Sequence, residues 1–239
     1  MILFVAGIDT GIGKTIATGL MAGWYAARGF SVVTQKLVQT GCKGFSEDIL
    51  VHRKLMGVDL LPEDRLGLTC PYVFGFPGSP HLAAALEGLT VDTGRLEAAT
   101  RELAQRYEIV LVEGVGGLCV PLTDETTVLD ILEQQGWPIV LVTGPRLGSI
   151  NHTLLSLEVL HARRLLLEAV IYNLYHAAKP EIRHDTRRVI ENAMRRMGYA
   201  APILDLSVAG PGEPPELDFT CRVADADGRQ VAHVGVSAV

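Results

Sequence analysis

Residues 2–15 constrain this chain more than any other stretch. Ile2-Leu3-Phe4-Val5-Ala6 is a short apolar run of the kind buried in a parallel sheet, and a helical pattern begins near Gly13 and runs to Arg28. Between them lies Gly7-Ile8-Asp9-Thr10-Gly11-Ile12, closing on Gly13-Lys14-Thr15. A strand, a glycine-bearing turn and a helix with Gly-Lys-Thr at the junction make a phosphate-binding loop. Turn N–H groups and the positive end of the helix dipole face the anion. Lys14 neutralises phosphate oxygens, and the Thr15 hydroxyl is placed for Mg²⁺. The spacing is irregular: five residues separate Gly7 from Gly13 where the ordinary motif has four, and Ile8 stands where a glycine is usual.

The chain of 239 residues has room for one large or two small domains with a sizeable core. An apolar content of 48% with 20% charged residues is that of a soluble globular protein. No apolar run approaches the roughly 18 residues of a membrane span. The first strand has no basic leader and runs straight into the loop, so no signal peptide is expected and the cytoplasm is the expected location. Cys42, Cys70, Cys119 and Cys221 lie far apart, which suits neither a zinc site nor a disulfide framework. Each is expected to be a small buried hydrophobe. The net charge of −6 argues against a nucleic-acid partner.

Further strands alternate with helices. Ser31–Lys36 reads as a strand leading into Lys36-Leu37-Val38-Gln39-Thr40-Gly41. The C-terminal ends of parallel strands are where such sheets gather functional residues. Lys36 is therefore sited for a phosphate or an anionic substrate, or else is a solvated lysine closing a strand. Ser46 is an expected N-cap for the next helix, in which Asp48 either caps the dipole or faces a metal. Residues 57–80 read as a long connection with Pro62, Pro71, Pro77 and Pro80, after which Ser79-Pro80-His81 starts a helix. His81 alone is more simply a capping or core residue than a catalyst. An amphipathic helix runs from Asp92 to Tyr107.

Ile109-Val110-Leu111-Val112 then delivers Glu113 into Gly114-Val115-Gly116-Gly117. An apolar strand ending in a carboxylate is the second half of a phosphate-binding ATPase site, where the acid holds Mg²⁺ or its water. The strand Pro138–Val142 leads through Gly144-Pro145 to a helix from near Ser149 to about Arg164. The start of that helix is a second anion site, although plain N-capping also explains Ser149. Leu167–Ile171 is a strand ending in Tyr172-Asn173, Pro180–Arg196 a basic-faced helix, and Ala201–Asp205 a last strand. Beyond Pro211, Pro214 and Pro215, the segments Phe219–Ala224 and Arg229–Val236 flank Asp227-Gly228 as a β-hairpin. The alternation predicts an α/β, P-loop NTPase-like fold with a mostly parallel central sheet and helices on both faces, over a domain of 1–210 with an extension at 211–239.

Five segments, Gly7–Thr15, Lys36–Gly41, Ser79–Ala83, Glu113–Gly117 and Leu147–Thr153, resemble the dethiobiotin synthetases. Leu147-Gly148-Ser149-Ile150-Asn151-His152-Thr153 is the most specific of them. The resemblance spans roughly residues 1–205 and implies a homodimer using ATP and Mg²⁺. Its reaction joins CO₂ to 7,8-diaminopelargonate, giving dethiobiotin, ADP and phosphate in biotin biosynthesis. By position it implies that Ile12, Gly13, Lys14 and Thr15 hold the phosphates, with Thr10 catalytic in the same loop. Asp48 and Glu113 join Thr15 at the metal. Lys36 resembles the family's second catalytic lysine. Thr40 and Gly116 lie near the substrate, Asn173 reads the adenine edge, and Ser149, Ile150 and Asn151 receive the substrate carboxylate across the dimer interface. The departures are Ile8 for a common Thr, Gly11 for a bulkier residue and Leu37 for the usual Pro. Two rivals remain: an amidating ligase of the same superfamily, whose glutaminase domain this chain has no room for, and a partitioning ATPase, whose extra loop lysine is replaced by Asp9.

Overall fold

The computed structural model describes residues 1–175 and 178–208, together with strands at 215–217, 222–224 and 230–232. It divides into two compact units, Met1–Trp137 and Pro138–Val239.

The first unit contains β1 (Ile2–Gly7), α1 (Lys14–Ala26), β2 (Val32–Lys36), β3 (Gln39–Thr40), α2 (Glu47–Met56), α3 (Pro62–Arg65), β4 (Val73–Phe74), α4 (Pro80–Leu86), α5 (Thr93–Arg106), β5 (Ile109–Glu113) and α6 (Val128–Gln135). β2, β5 and β1 pair side by side, all parallel. All five residues of β2 and of β5 are buried; β5 reads as an apolar run up to Glu113, whereas β2 buries Thr34, Gln35 and Lys36 after two valines. Val5, Glu113 and Lys36 stand in line across the three strand ends, since Val5 pairs with Glu113 and Glu113 with Lys36.

Close packing of α1 on α2 sets the height of the second helix over these ends. A Cβ on Gly19 would lie 2.7 Å from Leu55 and 3.3 Å from the His52 backbone, so only glycine lets the helices approach this far. Ser46 caps α2 as expected, its hydroxyl accepting from the Ile49 amide, and Gly57 ends the helix at φ 69°.

The second unit contains β6 (Ile139–Thr143), α7 (Ser149–Ala162), β7 (Leu167–Asn173), α8 (Pro180–Arg196), β8 (Ile203–Val208), β9 (Pro215–Leu217), β10 (Arg222–Ala224) and β11 (Gln230–Ala232). β6, β7 and β8 are parallel neighbours, and β9 runs antiparallel to β8. β10 pairs antiparallel with β11, and residues 225–229 between them lie outside the described residues. Mostly parallel strands joined through helices bear out the P-loop NTPase-like α/β class.

Three expectations need correction. Residues 57–80 are not structureless: α3 forms where Pro62 opens a turn, and β4 pairs with β3. α6 was not anticipated, although Thr127 and Asp130 form a capping box at its start and Gly136 closes it at φ 65°. Cys42 and Cys70 are buried, but Cys119 is exposed; Cys221 lies outside the described residues.

Candidate active site

Gly13 is the hinge between the phosphate loop and α1. It takes φ 107°, a conformation closed to most side chains, and no side chain caps the helix behind it. The first turn of α1 also carries no acid that would repel an anion. Lys14 folds back over the loop, its Nζ donating to the carbonyls of Asp9 at 2.9 Å and Gly116 at 2.8 Å. Burial, then the charge of Lys36, lowers its pKa to about 8.

Lys36 is not the solvated strand end that was the alternative. It is 5% exposed, and Nζ donates to Glu113 Oε1 at 2.8 Å, Gly114 O at 3.0 Å and Asp48 Oδ2 at 2.6 Å. Burial alone would lower its pKa, but the charges of Glu113 and Asp48 outweigh that and raise it. Burial acts on Glu113 in the opposite sense and is likewise outweighed, by the Lys36 charge and the hydrogen bond to His52, leaving the carboxyl at about 2. The site therefore holds an ion pair of fixed sign at neutral pH.

Asp48, in the first turn of α2, also turns its carboxylate to this pair. Thr15 Oγ1 lies 3.0 Å from Asp48 Oδ1 and 2.9 Å from Glu113 Oε1. One hydroxyl proton cannot serve both carboxylates at once, so three hard oxygens converge here, with the Lys36 ammonium as the other donor to the two acids. That donor set suits Mg²⁺, which binds one or two carboxylates and otherwise keeps waters and phosphate oxygens. Among the described residues no cluster of three or more His, Cys, Asp or Glu forms an all-protein metal cage.

A cleft of about 670 Å³ lies over these groups. Of the residues singled out from sequence, Thr10, Gly13, Lys14, Thr15, Lys36, Thr40, Asp48, Glu113 and Gly116 line it. Ile12 is fully buried and does not. Pro77, Gly78, Ser79 and Pro80, from the end of the long connection and the helix start that follows it, supply a further wall. His81 is absent from the lining, and its Nδ1 is buried without a partner.

In the second unit, Gly148 at φ 87° is the N-cap of α7, so Ser149 does not cap it. The Ser149 hydroxyl is buried with no hydrogen-bond partner, while Ile150 is half-buried and Asn151 exposed. Asn173 is buried at the end of β7, its Oδ1 accepting from the Tyr175 amide at 3.0 Å.

Sequence reading missed the layer behind Glu113. His52 joins Glu113 Oε2 at 2.8 Å to Thr34 Oγ1 at 3.0 Å, and Arg53 links Thr34 to Asp64. The available signal was the spacing of His52 from Asp48, four residues apart on one face of α2.

A phosphate loop whose threonine meets two acids, with a second lysine brought to them by β2, defines a P-loop NTPase-like protein. Residues 2–203 match the AAA domain family. An ATP-dependent dethiobiotin synthetase BioD of Chlorobaculum tepidum is 50% identical over 218 residues, covering 90% of this chain and 91% of that one. The BioD 2 enzymes of Pasteurella multocida and Haemophilus influenzae are 53% and 51% identical, over 80% and 73% of this chain and 91% of each of theirs. The chain belongs to the ATP-dependent dethiobiotin synthetase family, ligases that form C–N bonds in biotin biosynthesis.

Proposed function

We propose that this chain carboxylates 7,8-diaminopelargonate with CO₂ and closes the ring to dethiobiotin, with ATP giving ADP and phosphate. One amine takes up CO₂ and loses a proton, leaving a carbamate anion. Its oxygen attacks the γ-phosphoryl group as the bond to ADP breaks, forming a carbamic-phosphoric anhydride. The neighbouring amine then attacks the carbamoyl carbon, phosphate leaves, and a five-membered cyclic urea results. That last step is intramolecular, so proximity lowers its barrier by several kcal/mol.

The middle step brings two anions together. Unit charges 4 Å apart repel by about 1 kcal/mol in water and about 4 at an effective dielectric of 20. Lys14 and Lys36 answer that repulsion, and Mg²⁺, held by Thr15, Asp48 and Glu113, supplies further positive charge when bound. The observation that carries the reading is the meeting of Lys36, Glu113, Asp48 and Thr15 within 3.0 Å beside the loop.

The remaining roles are proposals of the same kind. Ile12 and Gly13 offer backbone N–H groups to phosphate, Thr10 assists in the loop, and Asn173 reads the adenine edge. Thr40 and Gly116 border the diamine, and Ser149, Ile150 and Asn151 take its carboxylate from across a homodimer. The unpartnered Ser149 hydroxyl at an α7 start without a side-chain cap supports that last assignment. Residues 1–210 form the catalytic domain in this reading, with 211–239 as an extension, and the enzyme works in the cytoplasm.

Protein, ATP, Mg²⁺ and bicarbonate are mixed and ADP release is followed. Diaminopelargonate is expected to trigger it; release on ammonia or glutamine, or on DNA or membranes, overturns the reading in favour of an amidating ligase or a partitioning ATPase.

A further inference from the structure

The reaction above leaves one set of buried polar groups without a part. His52 and Thr34 are fully buried, Arg53 and Asp64 nearly so, and none lines the cleft. Arg53 can only donate; it grips Asp64 through Nε at 2.8 Å and Nη2 at 2.7 Å, and gives Nη1 to Thr34 Oγ1 at 2.9 Å. Asp64 is further held by the Thr69 hydroxyl and the Leu61 amide. Thr34 Oγ1 accepts from Arg53 and meets His52 Nδ1 at 3.0 Å. At the other end the Glu113 carboxylate only accepts, so His52 Nε2 carries the hydrogen of that 2.8 Å contact.

The geometry points to His52 as a positioning residue that pins Glu113 Oε2 in the core, so that Oε1 alone turns to Lys36, Thr15 and the bound cation. The inference rests on Glu113 being a cation contact. Mg²⁺ demands near-ideal octahedral geometry and tolerates a wandering carboxylate poorly. A glutamate free to rotate presents either oxygen, or both; one fixed from behind presents one. Groups that orient a metal's ligands change its affinity by about 10- to 100-fold when removed. A merely structural histidine would instead alter the melting temperature and the folded fraction, leaving cation affinity per folded molecule unchanged.

The test compares the full-length wild type with His52→Leu, His52→Gln, Thr34→Val and Glu113→Gln. Mn²⁺ binding is measured by electron paramagnetic resonance, alone and with ADP, alongside thermal melting and the Mg²⁺ dependence of turnover. His52→Leu is expected to weaken Mn²⁺ about tenfold and to raise the half-saturating Mg²⁺ in the same sense, with kcat at saturating Mg²⁺ within about threefold of wild type. His52→Gln, which keeps a donor, recovers most of the loss, and Thr34→Val falls between. Thr34→Val and His52→Gln carry the test should His52→Leu fail to fold. Wild-type Mn²⁺ affinity in the folded His52 and Thr34 variants, with Glu113→Gln weakened, overturns the role of His52 alone. Wild-type affinity in Glu113→Gln removes Glu113 as a cation contact and the role of His52 with it.

Discussion

Lys36 and Glu113 are register partners on adjacent parallel strands, and their side chains meet at 2.8 Å with no more than 5% of either residue exposed. Taking both charges out of water costs several kcal/mol each, and attraction offsets this only where the remaining donors and acceptors are also met. Here they are. Lys36 also reaches Gly114 O and Asp48, and Glu113 reaches His52 and Thr15. The pair is better understood as a charge held ready for an anion than as a stabilising contact.

Lys36→Ala is therefore expected to cut turnover by two or more orders of magnitude at saturating diamine, while ATP binding through the loop survives in part. It also strands Glu113 among fewer partners, a stability loss on the order of 3–5 kcal/mol. Steady-state ADP release, nucleotide binding and a urea titration separate the two effects. Near-normal turnover removes Lys36 from catalysis.

Glu113→Gln and Asp48→Asn are both expected to raise the Mg²⁺ requirement. The effect on stability should differ. Glu113 sits in a fully buried network, whereas the Asp48 side chain is 24% exposed and can rehydrate. Mg²⁺ titrations of turnover and paired denaturation curves check this, and an unchanged titration for Glu113→Gln returns that residue to a structural role.

Lys14 gives a pH signature opposite in sign to that of a lysine whose pKa is raised by its partners, as at Lys36. With its pKa lowered to about 8, the ligand-free enzyme loses this charge as pH rises through 8. Between about 8 and 10.5 the unfolded chain binds more protons than the folded one, so this group's contribution favours folding more as pH rises across that window. A triphosphate restores the proton. Nucleotide binding at pH 8 is thus expected to take up a fraction of a proton, seen by calorimetry in buffers of different ionisation enthalpy, and affinity should fall from pH 7 to pH 9. A pH-independent affinity contradicts the placement of Lys14 on phosphate.

The acid limb belongs to Glu113 and Asp64. Burial raises the pKa of each, but Lys36 and His52 outweigh it at Glu113, and Arg53 and Thr69 do so at Asp64, so both end lowered. Carboxylates lowered by folding contribute stability that is complete above about 4.5 and lost as pH falls, for Glu113 down to about 2. Urea midpoints are expected to hold from pH 7 to 5 and drop below 4.5. Asp64→Asn should lower the neutral-pH value by about 3–5 kcal/mol, since Arg53 is then left buried without its partner, and flatten the acid slope.

Much of the first unit was legible because β1 and β5 read as apolar runs and β2 as a short β-branched one, the last two ending in Glu113 and Lys36. Pro180–Arg196 was bounded correctly, since proline opens that helix and its apolar stripe is sharp. α6 escaped because its eight residues are too few for a convincing period, although the Thr127–Asp130 capping box was there to be read. β3 and β4 are two residues each, below what alternation can reveal. The layer behind Glu113 was hidden for a different reason. His52 and Arg53 look like a solvated helix face until α2 closes on α1, and their partners Thr34 and Asp64 come from 18 and 11 residues away.

In the proposed reaction two ammonium groups and an acid-held cation converge on the transferring phosphate. A crystal structure with Mg²⁺, a non-hydrolysable ATP analogue and diaminopelargonate tests it most directly. The Nζ atoms of Lys14 and Lys36 are expected both turned to the γ-phosphate, with a metal ion against Glu113 Oε1. Lysines pointing away from that phosphate, with no metal near Glu113, would contradict it.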